Sequence, residues 1–283
     1  MENVYYGSTL AESIRGTLKE RVDELVSEGK RVPCLAVILV GNNPASLSYV
    51  KGKEKACASV GILSKHYHLE EDASQEEVEA LIRQCNEDEE VDGILVQLPL
   101  PSHLNEKEAL LKIDPRKDVD GLHPLNVGNL FSGQPSFIPC TPLGVMELLK
   151  YMNCEIDGKK AVVIGRSNLV GAPVARLLQN ENATVTVCHS HTKDIAKVCK
   201  EADILVVAMG KEKFVTRDFV KEGAYIIDVG INRMEDGKLC GDVDFDDVVD
   251  LAKGITPVPK GVGPMTICML LSNTLKAYED REK

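Results

Sequence analysis

"KAVVIGRSNLVGAPVARLL", residues 160–178, reads as a short apolar strand, a tight turn and the start of a helix. That is the context a dinucleotide site requires. The backbone must turn sharply after the strand and offer its N–H groups to a pyrophosphate at the helix N-terminus. The spacing is unorthodox. A GxGxxG reading from Gly165 puts Ser167 and Val170 where glycines belong, and Gly171 comes one place later. The stretch admits dinucleotide binding without requiring it.

Outward from this turn, further β-branched runs recur: "ATVTVCH" (183–189), "ADILVVAMG" (202–210) and "AYIIDVG" (224–230), each after a helical stretch. Earlier come "CLAVILV" (34–40) and "GILVQLPL" (93–100), with an acidic helix before the second. Continuous apolar strands of this kind belong to parallel sheets covered on both faces, and strand–helix alternation means βαβ units. Between the two groups lies "DPRKDVDGLHPLNVGNLFSGQPSFIPCTP", rich in Pro, Gly and Asn. It reads as a long functional loop at a domain boundary. The expected fold is therefore two α/β domains. Residues 1–143 plus 264–283 form the first, and 144–263 form a Rossmann-type nucleotide-binding domain. A helix is expected to start near Pro264.

Which nucleotide the turn takes depends on the end of the next strand. NAD sites place an acidic residue there for the ribose 2′-hydroxyl. Here the matching positions are Cys188, His189, Ser190 and His191, and Arg166 stands in the glycine turn. Arginine binds phosphate through charge-assisted, bidentate hydrogen bonds. The pattern favours NADP over NAD; the competing reading leaves Arg166 as a surface residue.

Composition narrows the class. A chain of 283 residues that is 43% hydrophobic and 27% charged can bury a substantial core. Its formal charge is 33 − 44 = −11, and no basic stripe offsets it, so nucleic acid is not an expected partner. The nine cysteines are scattered, without a CxxC pair, which argues against a disulfide framework or a zinc ribbon and fits a reducing cytoplasm. No apolar run approaches the roughly 18 residues of a membrane span. The first residues lack the basic and apolar regions of a secretory leader.

"NPASLSYVKGKEKACASVGI" (43–62) reads as a helix that begins near Pro44 and Ser46 and stops at Gly61. At about 100° per residue, Tyr49, Val50, Lys53, Ala56, Cys57 and Val60 share one arc, and Lys51 and Lys55 fall opposite. Lys53 thus sits in the apolar stripe, one turn from Tyr49. A lysine there either snorkels or is held for chemistry, its pKa lowered by desolvation. Gln97 could cap a strand end, and Asp118 and Asp120 could simply form a turn in "DVDG". His66 and His68 would share a strand face if extended, but no third metal ligand is evident, so no metal site is expected.

Seven blocks in order, "PASLSYVKGKEKA", "GILVQLPLP", "PRKDVDGLHPLNVGNL", "CTP", "VIGRSNLVGAP", "DVGIN" and "PVPKGVGPMT", resemble the bifunctional methylenetetrahydrofolate dehydrogenase/methenyltetrahydrofolate cyclohydrolase family. The resemblance implies two domains around a cleft, a usual homodimer, and a role in one-carbon metabolism and purine biosynthesis. It implies that 5,10-methylenetetrahydrofolate is oxidised with NADP and the methenyl product hydrolysed to 10-formyltetrahydrofolate. The family's catalytic lysine and tyrosine fall on Lys53 and Tyr49, its glutamine on Gln97 and its folate-anchoring aspartate on Asp120. Nucleotide contacts fall on Gly165, Arg166, Ser167, Ser190 and Ile231. Folate contacts extend to Val96, Leu98, Pro259, Lys260, Gly261, Val262 and Gly263. One departure is Lys260, where the family loop usually has glycine. If φ is positive there, lysine adds strain, and it would add a cation for the folate glutamate tail. Two competing readings are a dehydrogenase without hydrolase activity and a non-catalytic NADP-binding module.

Overall fold

The computed structural model describes residues 2–282. The chain forms two compact units, one of Ser13–Cys140 with the chain from Ile267 onward, the other of the chain up to Glu12 with Thr141–Thr266. Both are α/β with parallel sheets.

The first unit is built on a three-stranded sheet in the order β2-β1-β3, comprising β1 (Cys34–Val40), β2 (Leu63–Leu69) and β3 (Gly93–Val96). Every residue of β1 is buried, as its uninterrupted apolar run requires. Helix α1 (Gly7–Ser27) buries Leu18, Val22 and Leu25 here. Helix α2 (Pro44–Val60) joins β1 to β2. Asn43 caps it by accepting from the Ala45 and Ser46 N–H groups, and Gly61 ends it at φ +80°. Helix α3 (Gln75–Glu87) joins β2 to β3 and opens with a reciprocal Ser74–Glu77 capping box. Its Val78, Ile82 and Cys85 pack on Ala36, Ile38 and Ile94. Burying one such isoleucine contributes roughly 1.5–3 kcal/mol.

After α4 (Glu106–Leu111), the segment expected to be a long loop holds α5 (Pro124–Ser132) and the first turn of α6 (Cys140–Tyr151). The residues that looked like loop punctuation are helix caps. Pro124 takes the first helical position of α5, His123 accepts the Leu125 N–H, and Gly133 closes the helix at φ +73°.

The second unit carries β4 (Lys160–Ile164), α7 (Gly171–Asn180), β5 (Thr184–Cys188), α8 (Ile195–Cys199), β6 (Ile204–Val207) and β7 (Tyr225–Asp228). A short antiparallel pair follows, β8 (Asn232–Arg233) with β9 (Leu239–Cys240). Then come α9 (Phe245–Val248) and β10 (Gly254–Ile255), and α10 (Val262–Arg281) begins two residues before the expected Pro264. The parallel sheet runs β10-β7-β6-β4-β5, with Val162, Ile164, Leu205, Val207 and Ile226 in its core. The order reverses beside β4, so the loops after β4 and β6 leave the sheet at a topological switch point, where such folds bind ligands. Residues 2–12, read from sequence with the other domain, pack here. Val4 bridges Ile255, and the Asn3 side chain donates to the Val249 and Ala252 carbonyls at 2.7 and 2.9 Å.

Candidate active site

In the first unit, α2 and the end of β3 bring two distant side chains together. Lys53 Nζ donates to Gln97 Oε1 at 2.9 Å. Gln97 is 8% exposed, and its Nε2 donates to the Leu98 carbonyl at 2.6 Å, so the amide oxygen is turned to the lysine. Lys51 and Lys55 are exposed. Burial lowers the Lys53 pKa, with Asp120 opposing that shift. For Asp120, burial raises the carboxyl above its usual range while the Lys53 charge pulls it down. In both groups desolvation outweighs their mutual attraction, which brings each closer to neutrality.

Asp120 lies on a strap anchored on both sides. Lys117 Nζ donates to the carbonyls of Cys85, Asn86 and Asp88 at 3.0, 2.7 and 2.8 Å. The Asp118 carboxylate accepts from the Leu122 and His123 N–H groups and from the Asn126 amide. The Val119 carbonyl accepts from Asn273 Nδ2 at 2.9 Å. Gly121, at φ +72°, stacks its backbone against Ile138 and Pro139, where a Cβ would collide. The buried Cys140 thiol donates to the Val119 carbonyl at 3.4 Å, and burial, with the Asp120 charge nearby, pushes its pKa well up. Sequence reasoning gave Cys140 no role, although it opens the quoted "CTP" block. Tyr49 departs from the expected inward stripe at 52% exposure, while Ala56, Cys57 and Val60 below it are buried. Val96 is buried and Leu98 half-buried.

In the second unit, Gly165 adopts φ +118°, and a Cβ there would strike the Ala208 carbonyl oxygen. Gly171, at the start of α7, is packed in the same way against the Gly165 carbonyl. The glycine demand is real but falls at 165 and 171, outside the GxGxxG spacing. No side chain caps the N-terminus of α7. Arg166, Ser167 and Ser190 are exposed on the loops after β4 and β5. Ile231, 52% exposed, lines a cavity of about 270 Å³ together with the 259–263 loop. The Asp228 carboxyl at the same edge is pushed up by burial to about 7, against N–H donors from Val243, Asp242 and Gly230.

Lys260 has φ +81°, so the strain foreseen for a non-glycine residue applies. A left-handed L-residue costs roughly 1–2 kcal/mol, and glycine in turn costs about 0.5–1 kcal/mol of chain entropy. Lys260→Gly should therefore raise the urea midpoint, with a net gain of up to about 1 kcal/mol. A lower midpoint would show that the loop carries the lysine without strain.

His66 Nε2 pairs with Ser64 Oγ at 2.9 Å and His68 Nε2 with the Gly41 carbonyl at 3.0 Å. Among the described residues, no group of three or more His, Cys, Asp or Glu could hold a metal ion, and no helix is long and apolar enough to cross a membrane. None of the nine cysteines is in a disulfide.

A switch-point glycine turn with an uncapped helix in one α/β unit, and a largely desolvated lysine–amide–carboxylate cluster with a buried Gln97 in the other, define the class of two-unit, dinucleotide-dependent enzymes. The family model for the tetrahydrofolate dehydrogenase/cyclohydrolase catalytic domain matches residues 5–120, and that for the NAD(P)-binding domain matches 139–282. The chain belongs to the tetrahydrofolate dehydrogenase/cyclohydrolase family. It is 58% identical over 271 residues to a Bacillus cytotoxicus protein named bifunctional protein FolD, covering 96% of this chain and 94% of that one. The structure of the Campylobacter jejuni bifunctional FolD enzyme superimposes with TM-score 0.96 at 52% identity, covering 98% and 99% of the two chains. That of the Trypanosoma brucei methylenetetrahydrofolate dehydrogenase-cyclohydrolase, solved with NADP cofactor and inhibitor, gives TM-score 0.94 at 42% identity over 99% and 98%.

Proposed function

We propose that this chain oxidises 5,10-methylenetetrahydrofolate to the 5,10-methenyl form with NADP and then hydrolyses that product to 10-formyltetrahydrofolate. The observation that carries the reading is the Lys53–Gln97 hydrogen bond of 2.9 Å beside Asp120, inside the segment matched as a catalytic domain.

The residues around the β4 turn fit NADP. Tight glycines and an uncapped helix suit a pyrophosphate, and the exposed Arg166 and Ser190 on the loops after β4 and β5 suit a 2′-phosphate. Gly165, Arg166, Ser167, Ser190 and Ile231 hold the nucleotide, which supplies a hydride acceptor. On the folate side, the Asp120 carboxylate accepts from the donor edge of the pterin and Tyr49 stacks its exposed ring on the aromatic part. Val96, Leu98 and the 259–263 loop add contacts, with Lys260 offering a cation to the glutamate tail.

Hydrolysis needs water to add to the methenyl carbon, a proton to leave that water, and a carbon–nitrogen bond to break with protonation of the ring nitrogen. Lys53 is the group placed to move the proton. Burial lowers its pKa, which favours the neutral amine more than in a solvated lysine, and Gln97 fixes its direction. Dimer formation follows the family pattern, the acidic balance disfavours nucleic acid as a partner, and nine cysteines without a disulfide suit the cytoplasm.

The test is optical. Protein given 5,10-methylenetetrahydrofolate with NADP⁺ should form reduced nucleotide with little build-up of the methenyl intermediate. Accumulated methenyl-folate would mean a dehydrogenase alone, and no reduction with either nucleotide would mean a binding module. In the same assay, Arg166→Ala should lower the preference for NADP⁺ over NAD⁺ by about 10- to 100-fold, the worth of a charge-assisted hydrogen bond. An unchanged ratio of kcat/KM values would remove Arg166 from the 2′-phosphate site.

A further inference from the structure

Two carboxylates buried at the C-terminal edge of the five-stranded sheet are not among the residues assigned above. Asp242, which follows β9, is 0% exposed. Its Oδ2 accepts from the N–H groups of Met209 and Gly210 at 2.7 and 2.9 Å. Its Oδ1 accepts from the Lys211 N–H at 2.8 Å and the Asn232 side-chain amide at 2.9 Å. Asp228, the last residue of β7, is 3% exposed. Its Oδ1 accepts from the Gly230 and Asp242 N–H groups, both at 3.0 Å, and its Oδ2 from the Val243 N–H at 2.9 Å. The fit leaves no slack: a Cβ on Gly230 would run into the Asp242 carboxylate, and one on Gly241 into that of Asp228.

Carboxylates aimed at backbone N–H groups make the stronger, charge-assisted class of hydrogen bond, and a buried donor left unpaired is costly. Three segments are therefore locked together: the loop after β6, the turn after β7 and the β8–β9 pair. They leave the sheet at the strand ends where an open α/β fold binds its ligand. Ile231 stands exposed between two tethered neighbours. Gly230 is held by Asp228 and Asn232 by Asp242.

We propose that Asp242, with Asp228 behind it, is a positioning residue for the nucleotide. It acts through the 209–211 loop and Asn232 to set where Ile231 is presented. The proposal rests on the reading of Ile231 as a nucleotide contact. It explains why a cofactor loop carries buried charge: acceptors this short fix backbone direction more tightly than apolar packing would.

The two activities give the test its internal control, because hydrolysis of added methenyltetrahydrofolate involves no hydride transfer. Asp242→Asn turns one acceptor into a donor facing N–H groups. Asn232→Ala cuts the tether with less risk to folding. For each variant, NADP⁺ affinity is measured by calorimetry, dehydrogenase KM and kcat by nucleotide reduction, hydrolysis by methenyl absorbance, and folding by thermal unfolding. Kd and KM for NADP⁺ should rise by about tenfold or more, with dehydrogenase kcat and hydrolysis near wild type. Wild-type Kd in a folded variant, or hydrolysis falling in step with the dehydrogenase, would overturn the proposal. If Asp242→Asn does not fold, Asn232→Ala decides. Wild-type protein that fails to bind NADP⁺ would instead overturn the nucleotide reading itself.

Discussion

Lys53→Met should slow methenyltetrahydrofolate hydrolysis by about 10²- to 10⁴-fold, the usual span for a positioned acid–base group. Methionine keeps most of the length and apolar bulk of the side chain, so packing against α2 and β3 is largely preserved. What is lost is the nitrogen 2.9 Å from Gln97 Oε1. The buried Gln97 then lacks a donor for its amide oxygen, which costs about 1–3 kcal/mol of local stability. The decisive readout is the decay of methenyl absorbance in protein whose thermal unfolding remains cooperative. A wild-type decay rate would take Lys53 out of the chemistry and return it to the role of a snorkelling lysine.

Asp120→Asn should act on binding and on pH dependence together. The amide replaces one of two acceptor oxygens with a donor that faces the donor edge of the pterin. Truncating one partner of a buried, hydrogen-bonded charge costs about 2–5 kcal/mol, so kcat/KM for the folate should fall by about 10²-fold or more. The second effect follows from the lysine. The Asp120 charge opposes the burial that depresses the Lys53 pKa. Removing it lowers that pKa further, so an activity limb set by deprotonation of Lys53 should move to lower pH. A pH–rate profile for hydrolysis, taken at saturating substrate, checks the sign. A limb that stays in place, or moves up, would separate the two groups electrostatically.

Much of this architecture is legible in the sequence because buried parallel strands announce themselves. "CLAVILV" and "ILVV" have no polar residue to interrupt them, and all their positions are buried. β2 is different. As an edge strand it keeps Leu63, His66 and His68 exposed, and "LSKHYHL" shows neither a continuous apolar run nor clean alternation. α5 was hidden by its own caps, since Pro124 and Gly133 punctuate a helix as readily as a loop. In the site, the helical wheel separated Lys53 from Lys51 and Lys55. It could not show that the packed stripe ends below Tyr49, because periodicity carries no information about where neighbouring chain stops. Asp242 is the hardest case. "DVDFDD" offers four aspartates alike in composition, yet Asp242 is buried and Asp246 exposed. Only the backbone that wraps around a carboxylate tells them apart.

The Lys117 tripod has a consequence for how the enzyme opens. Its ammonium closes the last turn of α3 by binding carbonyls that the helix cannot satisfy itself. The same lysine begins the strap that carries Asp120. Fraying of α3 and release of the strap are therefore one event in the native-state ensemble, sharing a single free energy of local unfolding. The segment that presents Asp120 is no independently breathing loop. Its order is inherited from α3, whose apolar face packs on β1 and β3, and it persists for as long as that helix does.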